Sequence, residues 1–119
     1  MPTSWPALDY ASWRATCDTL HAHTQVLGKL AVALAPPEPQ LQHAALRLTA
    51  RGWETLPLPA PDGGSFVTAL DLHRHEVVVE RSDGGRTAIA LPGRSVGEVT
   101  RELLGGLGVT IAMNPQEVP

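Results

Sequence analysis

The chain has 119 residues, enough for one domain with a single core and too few for two. Hydrophobic residues make up 43% and charged residues 18%, but aromatics only 4%, so Ala, Val and Leu must fill most of the core. A formal charge of −3 argues against a nucleic-acid footprint, no apolar run approaches the ~20 residues of a membrane helix, and a single cysteine, Cys17, excludes an internal disulfide framework.

From Tyr10 to about Ala35 there is no Pro and only one Gly, which predicts a long helix. Asp9 is placed to cap its start. Leu8 and Trp13 occupy the two positions of a hydrophobic staple. Pro36-Pro37 stops the helix, because a residue before proline avoids the helical region. Trp13, Leu20, Leu27 and Leu34 recur at heptad spacing and centre one apolar stripe, with Thr24 and Ala31 beside it and Val26 and Leu30 on a flank. Asp18, His21, Gln25 and Lys29 share another side of the helix. Gly28 lies near the border between the stripes. It costs roughly 1 kcal/mol against Ala in a helix interior, which suggests close approach of another backbone. His23 points to the apolar flank and reads as a partly buried histidine. Cys17 and His21 are one turn apart, but a small buried cysteine is the simpler reading.

A proline-rich linker over residues 38–43 separates this helix from a strand-rich middle. Residues 44–50 alternate as a half-buried strand does. Trp53 to Leu58 is a second extended segment, expected at an edge or irregular because of Pro57 and Pro59. Asp62-Gly63-Gly64 is a turn. Ser65 to Leu72 forms a strand with Phe66, Thr68, Leu70 and Leu72 on one face. His73-Arg74-His75 turns the chain into Glu76 to Arg81, and Asp83-Gly84-Gly85 is a hairpin signal leading to Arg86 to Leu91. These segments should pair antiparallel in sequence order. Ser95 with Glu98 is a capping box for a second helix with Val96, Val99, Leu103 and Leu104 on its apolar face. Gly105-Gly106 should end it. Val109 to Met113 is a last strand and residues 114–119 an extended tail. The predicted fold is α+β: a long N-terminal amphipathic helix packed on an antiparallel β-meander of about five strands, then a second helix and a final strand, all in one domain.

Standard catalytic motifs are mostly absent. The Gly-rich turns lack the following helix and Lys of a phosphate loop. The His21/His23 pair cannot chelate one metal from a helix, where i and i+2 diverge. His73 and His75 at a hairpin tip lack a third ligand nearby, so no metal site is expected, and the sequence names no cofactor. The polar row on the first helix remains. As a site, His21 would act as general acid/base, Gln25 as an orienting amide and Lys29 as an anion holder. As a solvated face, it would do none of this.

Trp5-Pro6, Leu8, Tyr10, Trp13, Thr19-Leu20-His21, Thr24-Gln25, Gly28-Lys29 and Ala33-Leu34-Ala35-Pro36-Pro37 together resemble the opening of an uncharacterised bacterial family, domain of unknown function 5996. The resemblance continues through Leu46, Thr49-Ala50-Arg51-Gly52, Ser82-Asp83-Gly84, Arg94-Ser95-Val96 and Pro115-x-Glu117-Val118-Pro119. It raises the weight on His21, Gln25 and Lys29, which belong to the matching opening. Family members usually carry an Asn-His-Trp-Trp-His-like segment after the double proline; here Pro39-Gln40-Leu41-Gln42-His43 keeps only the last His. Typical members are about twice as long, so the resemblance is to their N-terminal half.

A lone half implies an uncovered apolar surface, which a second copy would cover; a homodimer is therefore expected. Two function classes follow. The first is a small-molecule binding protein or enzyme subunit, with His21 and Lys29 as catalytic candidates and Gln25, His43 and Glu117 lining the substrate. The second is a non-catalytic interaction or structural module. No basic-then-apolar leader opens the chain, and the use of eight Arg against one Lys suggests GC-rich coding, so the expected setting is a bacterial cytoplasm, with no nucleic-acid or membrane partner.

Overall fold

The computed structural model describes residues 9–36, 39, 42 and 45–109. Helix α1 spans Tyr10–Leu34. Strands follow at Leu46–Thr49 (β1), Gly52–Thr55 (β2), Leu58–Pro59 (β3), Ser65–Asp71 (β4), Glu76–Arg81 (β5) and Arg86–Ala90 (β6), and helix α2 spans Val96–Leu107. The strands form one antiparallel sheet in the order β1-β2-β4-β5-β6, with β3 also paired to β4. The α+β meander expected from the residue pattern is therefore the observed architecture. The expected last strand lies outside the described residues except for Val109, which is not in a strand.

Register explains which face is buried. Leu48, Trp53, Leu70, Val77 and Ile89 stand opposite one another across the strands and share a face. That face carries Phe66 and Val79 as well, and both helices pack on it, joining Val26, Leu27, Leu30 and Ala31 to Val99, Leu103 and Leu107 in one cluster. Removing such a side chain, as in Leu70→Ala, leaves a cavity worth about 2–5 kcal/mol.

The opposite face alternates in the same way. Glu54, Ala69, Val78 and Ala88 form one row there. Arg51 reaches Glu80 and Arg86 reaches Glu76, and Val78 within this row is 0% exposed. Asp71 and Glu76 face each other in the ladder, an unfavourable like-charge pair. Each has its own partner: Glu76 holds Arg86, and Asp71 Oδ1 accepts from the backbone N–H groups of Arg74 and His73, both at 2.9 Å. Those bonds form the β4–β5 turn and hold the Asp71 carboxyl below the usual range, the Arg74 N–H contributing most.

The second extended segment is irregular, one of the two forms expected of it. β2 itself is not at an edge, since it pairs with β1 on one side and β4 on the other. The segment is broken by a gap at Leu56-Pro57 between β2 and β3. Across that gap the Thr55 hydroxyl accepts from the Thr68 backbone N–H at 3.1 Å, replacing a ladder bond, and pairing resumes at Leu58.

Helix α1 begins as expected, with the Asp9 carboxylate accepting from the Ala11 N–H at 3.2 Å. Its first turn is distorted: Trp13 has φ −129° and ψ 18°. Leu8, the other half of the expected staple, lies outside the described residues. The buried sector also differs. The fully buried residues are Ala22, His23, Val26, Leu27, Leu30 and Ala31, whereas Leu20 and Leu34 pack only on the margin of the core and Trp13 is half-buried outside it. Two causes account for this. Residues 10–19 at the start of α1 include no buried residue, so Trp13 has no core beneath it to join. Helix α2 also packs against α1, which widens the buried sector toward Val26 and Leu30. Among the described residues no atom of another element lies within 4 Å of where a Gly28 Cβ would stand, so none of their backbones makes the close approach expected there.

One hydrogen-bonded chain fixes α1 over the sheet. Trp53 Nε1 donates to Thr24 Oγ1 at 2.9 Å, and that hydroxyl donates to the Leu20 carbonyl at 2.7 Å. Helix α2 starts with the expected box: Ser95 Oγ accepts from the Glu98 N–H and donates to Glu98 Oε1. It does not stop at Gly105-Gly106. Burial of Leu107, one turn after Leu103, extends it, and Gly108 closes it in the left-handed region at φ 69°, with the Val109 N–H bonded to the Leu104 carbonyl.

Candidate functional site

The described end of the molecule where α1 meets α2 holds a groove of about 450 Å³ lined by Asp18, Thr19, His21, Ala22 and Val96. The Thr24–Trp53 bond sets the height of α1 on the sheet, and the Ser95 cap sets where α2 begins, so the two together place Val96 across from the middle of α1. Asp18 and His21 lie three residues apart on one helix side and are both exposed. Thr19 bonds its hydroxyl to the Ala15 carbonyl at 3.0 Å. Ala22, buried, forms the apolar wall with Val96. A carboxylate, a hydroxyl oxygen and an imidazole beside two small apolar groups can bind a small polar molecule and exchange a proton with it.

The predicted site residues divide. His21 lines the groove, and Asp18 of the same polar row joins it there. Gln25 and Lys29 do not line it; both are half-buried, and Lys29 stands about 12 Å along the helix from His21. The Gln25 Oε1 atom is buried and has no hydrogen-bond partner. His43 and Glu117 lie outside the described residues. Val96 escaped the sequence reading because its only visible signal was a place on the apolar face of α2; the pairing of two elements, not a motif, puts it at the groove.

The other candidates take structural places. His23 is 2% exposed, and burial pushes its imidazole below the ordinary value. Cys17 is a free, half-buried thiol. His73 Nε2 bonds the Ala50 carbonyl at 3.0 Å, tying the β4–β5 turn to the β1–β2 turn, and His75 sits in the same turn with φ 55°. Among the described residues no group of three or more His, Cys, Asp or Glu is placed to hold a metal ion. No described helix is long and apolar enough to cross a membrane. A second, smaller cavity of about 260 Å³ lies between the Asp62-Gly63-Gly64 and Ser82-Asp83 turns, beside Arg81.

No curated protein and no solved structure matches the chain. The model of the family of unknown function DUF5996 matches residues 5–119, nearly the whole length, in agreement with the resemblance carried by the opening and closing motifs, and the chain belongs to that family.

Proposed function

We propose that the chain is a small-molecule binding protein or enzyme subunit, acting as a homodimer in a bacterial cytoplasm, with its site on the first helix. The groove beside His21 carries this reading: it joins a titratable side chain to a wall from a second helix, in a volume that suits a small metabolite. His21 would move a proton, while Gln25 and Lys29 extend the polar row for the far end of a longer ligand. Support for the dimer comes from the helix-side end of the sheet edge, where Leu48 is 81% exposed beyond the reach of α1, and from Tyr10, 48% exposed on the first turn of that helix.

A non-catalytic interaction module is the second reading, favoured by the separation of Lys29 from the groove. Substituting His21→Ala and Lys29→Ala separates the two. The site reading expects His21→Ala to abolish binding of small fragments while leaving the urea midpoint within about 0.5 kcal/mol of the parent, as for an exposed side chain. Fragment binding that survives His21→Ala unchanged counts for the second reading.

A further inference from the structure

We propose that the groove between α1 and α2 takes a small protonated amine, an inference that rests on reading that groove as a binding site. Among the described residues, every carboxylate but two is tied into the fold. Asp9 caps α1, Asp71 and Asp83 hold turns, and Glu98 completes the α2 capping box. Glu54, Glu76, Glu80 and Glu102 pair with Arg47, Arg86, Arg51 and Arg94. The two left over are Asp18, which lines the groove, and Asp62, which lines the smaller cavity.

Asp18 lines the groove, and its polar neighbours there offer acceptor atoms. Thr19 has given its hydroxyl proton to the Ala15 carbonyl, so its oxygen offers lone pairs only. An imidazole carries one acceptor nitrogen beside one N–H donor when neutral, so His21 can add a lone pair. Ala22 and Val96 supply a surface for a short alkyl chain. The positive end of α2 lies across the groove, but Glu98 in its first turn offsets that partial charge. A primary ammonium brings three donors and one positive charge to this acceptor set. A ligand carboxylate would meet Asp18 at like charge.

The test titrates the whole chain with butylammonium chloride and, separately, with sodium butyrate at equal ionic strength, following backbone amide shifts. Butylammonium is expected to move the amides of Asp18 to Ala22 and Val96 along a saturable curve, and butyrate is not. Asp18→Asn should weaken the amine roughly tenfold or more, the effect of removing a charge-assisted hydrogen bond, with the unfolding midpoint unchanged. Thr19→Val should weaken it less. Saturable butyrate binding at the same amides overturns the amine class but keeps the groove as a site. Silence of those amides toward both probes overturns the groove reading as well. Undiminished amine binding in Asp18→Asn removes Asp18 from the account.

Discussion

Two glycines that look alike in the sequence have opposite physical roles. At Gly52 the backbone has φ 155°, and a Cβ would stand 2.1 Å from the Leu70 carbonyl oxygen, a backbone atom that cannot step aside without breaking the β2–β4 ladder. Gly52→Ala is expected to lose about 2–3 kcal/mol by urea denaturation. Gly28 sits inside α1 with no described residue within 4 Å of its missing Cβ, so Gly28→Ala should gain about 0.5–1 kcal/mol from helix propensity alone. A loss at Gly28 would mean that a neighbour occupies that space. His23 supplies a pH dependence at the same scale. Its imidazole is held below the ordinary 6.5 by burial, so between the two values the unfolded chain binds more protons than the folded one. Its contribution is complete above pH 6.5 and declines as pH falls toward the folded value. His23→Leu should flatten that part of the stability–pH curve, and an unchanged slope in the variant would assign the dependence to other groups.

At the scale of elements, local signals were legible where one residue type has one physical use. The Asp9 cap, the Ser95–Glu98 box and the Asp-Gly-Gly turns each satisfy backbone groups within a few residues, and each is present. Boundaries set by packing were not legible. The glycine pair at 105–106 reads as a helix end, yet Leu107 is buried and the helix runs on to Gly108. Gly105→Ala therefore should stabilise α2 by about 0.5–1 kcal/mol, as in any open helix interior. A left-handed glycine there would make the same change destabilising, so the sign of the shift in thermal midpoint decides. Pro57 and Pro59 suggested an edge or an irregular strand, and the irregular form is the observed one: the chain breaks at Leu56-Pro57 with Thr55 bridging the gap, while β2 before it pairs on both sides.

For the whole molecule, the helix-on-sheet arrangement followed from periodicity, because the alternation of Phe66, Thr68 and Leu70 and the helical spacing of Leu20, Leu27 and Leu34 each demand one covered face. The site was legible only in part. Helical spacing placed Asp18 and His21 on one side, but Val96 comes from a distant segment, and only the tertiary packing of α2 brings it there. That same spacing suggested that Lys29 would share a pocket with His21; rise along the helix separates them. Assembly belongs to this scale as well. Sedimentation equilibrium at micromolar concentration is expected to give twice the 12.7 kDa chain mass, with Leu48→Lys shifting the population toward monomer; a parent chain that stays monomeric contradicts the homodimer. The most direct test of the central claim, that the meeting of α1 and α2 forms the working site, is a crystal soaked with a mixture of small polar fragments. The account predicts electron density for a fragment bounded by Asp18, His21 and Val96. Fragments that settle only between the Asp62 and Ser82 turns or on the charged sheet face, leaving that groove to solvent, would contradict it.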